Sequence, residues 1–168
     1  MGVFGSTSLN SAKAPSGGGI YYKAGEYEFE ITVFKKIMTR EKGDMILAET
    51  VVLVSNNEDL PKGSRPTWSQ MLAGKAADVA PQNIKMFLSA AMLLNIFSDK
   101  DAAAIAKVDW DTLGGTAISE DNPLAGCRVH VVATDTVSKA GKPFTKMIFT
   151  PPNEPSEFQI ELAKEARK

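Results

Sequence analysis

GEYEFEITVF, residues 25–34, sets Tyr27, Phe29, Ile31 and Val33 on one parity and Glu26, Glu28, Glu30 and Thr32 on the other. Successive side chains of a strand point to opposite faces, so this period of two describes a half-buried β-strand with an aromatic and β-branched inner face. The segment runs on through Phe34, Lys35, Lys36 and Ile37 to a turn at Glu41, Lys42, Gly43 and Asp44. A second strand, MILAETVVLVS, follows and is mostly apolar from Ile46 to Val54. With only a Gly-containing turn between them, the two strands pair as an antiparallel hairpin.

The same plan returns further along the chain. GCRVHVVATDTV, residues 126–137, alternates Cys127, Val129, Val131 and Ala133 with Arg128, His130, Val132 and Thr134. Lys139, Ala140, Gly141 and Lys142 make the turn, Phe144 to Thr150 pairs back, and Pro151 and Pro152 end the strand, because proline cannot donate to a ladder. Between the hairpins, SNNEDLPKGSRPTW (residues 55–68) is polar and carries turn signals at Asn56, Gly63 and Pro66. A helix begins near Pro81, which suits a first helical position. Ile84, Phe87, Leu88, Ala91 and Leu94 then share one helical face. A shorter helix, with Ser98 as cap and Asp101 three residues on, carries Ala102 to Val108 and ends before Gly114 and Gly115, which read as a loop hinge. The tail EPSEFQIELAKEARK reads as a short helix with acids early and bases late, as the helix dipole favours.

The order hairpin, helical insertion, hairpin, tail helix describes a mainly β chain with a helical insertion. An OB-like antiparallel barrel accommodates it, with a two-layer α+β sandwich as the alternative. On this reading residues 20–152 form the domain, 81–108 its insertion, and 153–168 a C-terminal helix and tail. Residues 1–19, rich in Ser, Gly and Ala, read as a flexible arm with too little apolar surface to order itself. That arm is either a disordered leader or a segment docking on a neighbouring subunit through Phe4.

Composition narrows the function classes. A chain of 168 residues, 43% hydrophobic and 23% charged, has the size and balance of a single globular domain. A net charge of −1 gives no whole-chain basic field, so nucleic acid would have to be held by a local patch. Cys127 is the single cysteine, which excludes an internal disulfide and suits a reducing cytoplasm. The start has no apolar signal core, and no apolar run approaches the roughly 20 residues that span a bilayer. The expectation is a soluble cytoplasmic protein with no membrane partner.

Catalytic signatures are scarce. His130 is the only histidine, and with Cys127 alone it cannot complete a zinc site. Residues three apart in a strand also point to opposite faces, which disfavours a Cys-His nucleophile. Gly17, Gly18 and Gly19 lack the following Lys and Ser/Thr of a phosphate loop. Asp109 and Asp111 around Trp110, with Asp99 and Asp101 nearby, lack the ligand spacing of a calcium loop and read as solvated surface. The row Glu26, Glu28 and Glu30 reads the same way. The expectation is a binding protein, not an enzyme, with no cofactor and no metal.

Positive charge is more suggestive. Lys35, Lys36, Arg40 and Lys42 gather around the first turn, and Lys139, Lys142 and Lys146, with Arg128 nearby, around the second. If the hairpins pack side by side, both basic turns can border one groove. Tyr21, Tyr22, Phe34 and Phe144 lie near those ends and can stack bases. A cationic track with aromatic platforms suits sequence-tolerant single-strand binding. Lysines at turns also serve solubility, and the same aromatics can belong to the core.

The layout GEYEFEI, VLVSN, NIKMFLSAAML and NPLAGCRVHVVATDTVSKAGKPFTKMIFTPP, from Ile20 to Pro152, resembles the small single-stranded-DNA-binding proteins of tailed bacteriophages. The resemblance lies in arrangement, most recognisably Asn122 to Gly126, the hairpin turning at Gly141 and Lys142, and the ending Phe149, Thr150, Pro151. It implies an OB-fold that coats single strands during phage DNA replication or recombination in the cytoplasm of the infected cell. It also implies replication or recombination proteins, and a homo-oligomer, as further partners. Many single-strand binders end in an acidic tip, whereas this chain ends in Ala166, Arg167 and Lys168. The other function class kept open is a phage structural or assembly protein acting by self-association.

Overall fold

The computed structural model describes residues 20–40 and 43–167. The expected N-terminal arm, residues 1–19, and Lys42 at the first turn lie outside the described residues. The chain is mainly β. Its strands are β1 (Ile20–Tyr21), β2 (Gly25–Thr39), β3 (Gly43–Ser55), β4 (Pro66–Met71), β5 (Arg128–Val137) and β6 (Pro143–Thr150). They form a six-stranded sheet in the order β1-β4-β3-β2-β5-β6. Both expected hairpins are present, and β2 also pairs with β5, joining them into one antiparallel surface. Among the described residues only the short β1–β4 pairing is parallel.

The sheet curls into a half-barrel. Trp68 of β4 and Phe149 of β6 meet with ring centroids 5.1 Å apart, although these strands share no ladder. The concave side is filled by α1 (Ala80–Ala91), which has Pro81 in its first turn as its sequence suggests. Phe87, Leu88 and Ala91 are buried there, and Phe87 meets rings from β2, β4 and β6. Leu94, expected on the same helical face, lies beyond the helix and is buried in a separate cluster with Ile105 and Val108. Two short helices, α2 (Ala102–Lys107) and α3 (Trp110–Ala117), follow α1, and α4 (Glu157–Ala166) follows β6. Among the described residues no helix is long and apolar enough to cross a membrane.

This fold departs from the sequence reading in several places. β4 begins inside the stretch that reads as turn and polar loop and runs past its end, because Pro66 hides a strand that begins on it. Gly114 and Gly115 lie inside α3 and form no hinge. Asp109 caps that helix, accepting from the Thr112 N–H at 3.2 Å and the Thr112 hydroxyl at 2.8 Å. The Thr112 hydroxyl, and then its N–H, hold the Asp109 carboxyl below the usual range. Ser98 precedes a 3-10 turn but makes no side-chain cap, and Asp101 accepts instead from the Asn95 N–H at 2.8 Å.

The long strand β2 changes phase midway. Tyr27, Phe29 and Ile31 are buried as the alternation demands, but Phe34 is buried in place of Val33. The register steps from Ile31 opposite Thr50 to Val33 opposite Glu49, so Thr32 is an extra residue. Such a bulge reverses which parity faces inward. Asn122 holds it open: its side-chain oxygen accepts from the Phe34 N–H at 3.0 Å, and its Nδ2 donates to the Thr32 carbonyl at 2.8 Å. Two backbone groups of the bulged segment are thereby satisfied.

The tail docks through polar groups. Ser156 and Gln159 form a reciprocal capping box at the start of α4. Gln159 is fully buried, and its Nε2 donates to the carbonyls of Ala91 at 2.8 Å and Arg128 at 2.7 Å. Its Oε1 accepts from the Arg128 N–H at 2.9 Å. One amide therefore ties α4 to the end of α1 and the start of β5. Glu28 is not solvated surface: it is buried and accepts from the N–H groups of Asn153 and Glu154.

Candidate nucleic-acid interface

The open side of the half-barrel forms a groove of about 380 Å³ between the β1–β4 edge and β6. Its floor is aromatic, made of Tyr22, Trp68 and Phe149, all buried. Its rims carry Tyr21 from β1, 56% exposed, and Phe144 from β6, 49% exposed. Lys146 stands beside Phe144, and Asn83 from α1 closes one side, donating through Nδ2 to the Gln70 side chain at 2.9 Å. Among the described residues no Asp or Glu lines this groove, and Lys146 is the one charged residue in its lining.

The structure brings together Tyr21, Tyr22, Phe144 and Lys146 of the expected site residues, Tyr22 in the buried floor and the other three at the rim. Lys139 and Lys142 are exposed on the turn that leads into β6. Among the described residues no carboxylate lies within ion-pair distance of Lys139, Lys142 or Lys146. These cations face water.

Others are buried or placed elsewhere. Tyr22, in the groove floor, is 6% exposed, and its hydroxyl shares a 2.7 Å hydrogen bond with the Thr50 hydroxyl. Burial pushes the Tyr22 phenol well above its usual range. Phe34 is 1% exposed and stacks on Phe87 at 5.3 Å. The bulge at Thr32 turned it inward, so neither ring can stack a base from solvent. Lys35 pairs with Glu49 at 3.7 Å and Lys36 with Asp44 at 3.4 Å. Arg128 pairs with Glu30 at 3.4 Å and donates to the Glu154 carbonyl at 3.0 Å. It lines a different cavity, among Glu26, Glu28 and Glu154. Arg40 is exposed at the first turn, and Lys42 lies outside the described residues.

The two turns do not border one groove side by side. β2 runs from Gly25 beside Ala133 towards Thr39, and β5 runs from Arg128 beside Glu30 towards Val137. Antiparallel neighbours send their following turns in opposite directions, so only the second turn continues into the aromatic groove. β4 was the missed contributor: Thr67, Ser69 and Gln70 line the groove. The alternation of Pro66, Trp68 and Gln70 with Thr67, Ser69 and Met71 was its signal.

The residues weighed for catalysis stay apart. Cys127 is fully buried, and burial, with the Glu30 charge added, pushes its thiol up to about 12. A protonated buried thiol is a poor nucleophile. His130 is only partly exposed on β5, with its Nε2 2.9 Å from Glu26. Among the described residues no cluster of three or more His, Cys, Asp or Glu could hold a metal ion. No protein-family model and no curated protein matches the chain.

Proposed function

We propose that this chain binds single-stranded DNA, with little sequence preference, in the groove between the β1–β4 edge and β6. The carrying observation is a groove with two half-exposed aromatic rings at its rims, Lys146 in its lining and no Asp or Glu among its described lining residues, with Lys139 and Lys142 on the turn that leads into the same strand. Every base has a π-face, so rings such as Tyr21 and Phe144 can take bases of any identity. A duplex keeps those faces stacked inside itself. Lys139, Lys142 and Lys146 supply the phosphate contacts, which the chain's net charge of −1 cannot. Binding is the whole activity on this reading, with no reaction, metal or cofactor. Such a chain serves wherever single strands are exposed, as in phage replication or recombination.

The order of the five longer strands supports an OB-like reading of the half-barrel. Counted from β2, they lie third, second, first, fourth, fifth, with α1 between third and fourth. In OB barrels the face of the second and third strands, with the loops between first and second and between fourth and fifth, takes oligonucleotides. Here the face is β3 and β4, and of the two loops the fourth–fifth one, bearing Lys139 and Lys142, leads into the groove-lining strand β6.

Phe144→Ala is expected to weaken binding of a labelled oligo-dT of about 12 nucleotides by about tenfold, the worth of one stacked base. Its melting temperature should stay put, because the ring is half exposed. Lys35→Ala with Lys36→Ala should change affinity little, since both charges are already paired. Anisotropy titrations decide it. Unchanged affinity in Phe144→Ala, or a greater loss in the Lys35 and Lys36 variant, moves the site away from this groove.

A further inference from the structure

Resting on that reading, we infer that the nucleic-acid track continues past Lys146 to a third aromatic platform, Phe97. A second cavity of about 380 Å³ lies between α1, β6 and the loop after α1, and it shares Asn83, Lys146 and Met147 with the groove already described. The two adjoin one another along β6. From Phe144 to Ile148 the strand covers about 14 Å at about 3.4 Å per residue, room for more than one nucleotide beyond Phe144.

Phe97 stands at the far end, 60% exposed. Its neighbours Leu94 and Ile96 turn into the core, and the loop that carries it is pinned. The Phe97 N–H donates to the Asn95 side chain at 2.8 Å, and the Asn95 N–H donates to Asp101 at 2.8 Å. The ring is thus displayed to solvent from a held backbone, so little ordering entropy is lost when a base stacks on it. Charge points to the same occupant. As in the first groove, the described residues of this lining include no Asp or Glu, and Lys146 is again the one charged residue among them. By contrast, the cavity beside Arg128 includes Glu26, Glu28 and Glu154, and the one beside Trp110 includes Asp111. Lys146 sits at the junction, where a phosphate between bases on Phe144 and Phe97 would pass.

The test is titration of the whole chain with the same oligo-dT of about 12 nucleotides. Phe97→Ala should bind about five- to tenfold more weakly with an unchanged melting temperature. Phe97→Tyr, which keeps the π-face, should bind as the parent does. Affinity within twofold of the parent in Phe97→Ala, while Phe144→Ala is weakened, overturns the extension and leaves the first groove standing. Equal loss in Phe97→Ala and Phe97→Tyr also overturns it, because stacking is then not what the ring supplies. Unchanged affinity in both Phe97→Ala and Phe144→Ala removes the extension together with the reading it rests on.

Discussion

Phe87→Ala is expected to destabilise the protein by about 3–5 kcal/mol, because the ring's packing is removed and a cavity stays behind. Phe87 is the hub of the half-barrel. Its ring is fully buried and stacks on Trp68 at 4.9 Å and on Phe34 at 5.3 Å, with Phe149 edge-on at 4.9 Å. Those partners come from β4, β2 and β6, so one side chain from α1 joins strands that no ladder connects. Rigid aromatic neighbours collapse poorly into a void, which puts the cost at the upper end for a large-to-small change. The loss is a large share of a typical domain's stability. Urea unfolding measures it as a lowered midpoint at constant slope. An unchanged midpoint with a fall in molecular mass by light scattering would instead make this face an association surface.

Gln159→Leu is expected to cost about 3 kcal/mol, because volume is kept while buried hydrogen bonds are removed. The amide serves the Ala91 carbonyl and both backbone groups of Arg128, and leucine leaves all of them unpaired away from water. The capping box at the start of α4 disappears in the same change. The tail should therefore loosen before the sheet does, and limited proteolysis should cut near α4 under conditions where the parent chain is intact. A variant as stable and protease-resistant as the parent would mean that α4 is held by its apolar packing alone.

How far the sequence reveals this arrangement depends on the range of the interaction. The alternation of Tyr27, Phe29 and Ile31, and of Cys127, Val129, Val131 and Ala133, is local and reads directly as buried strand face. The helical face of Phe87, Leu88 and Ala91 is equally plain. The phase change at Thr32 is not, because its cause is Asn122, 90 residues away. That distant amide moved Phe34 from the expected site into the core. β4 was hidden by Pro66, a turn former that here opens a strand, and α3 by Gly114 and Gly115, which tertiary packing and the Asp109 cap keep helical.

The candidate site was legible in part for the same reason. Phe144, Lys146 and Tyr21 lie at a sheet edge, where composition near a turn correctly suggests exposure. Tyr22 is the next residue in the chain, yet its hydroxyl finds Thr50 in β3 and carries the ring inward. Lys35 and Lys36 have the look of free cations in the sequence, but strand pairing sets Glu49 and Asp44 beside them. Sequence composition finds charges, whereas register decides which of them are already neutralised.

Titration of the whole chain with oligo-dT, and with a duplex of equal length, between about 50 and 200 mM salt carries the greatest weight. We expect oligo-dT to bind more tightly than duplex at every salt concentration, with affinity falling steeply as salt rises. In the Lys139→Ala, Lys142→Ala and Lys146→Ala triple variant the slope of log affinity against log salt should flatten by about 0.7 for each phosphate no longer neutralised. Equal affinity for duplex, or binding to oligo-dT that does not respond to salt or to these three lysines, would contradict a single-strand groove at β6.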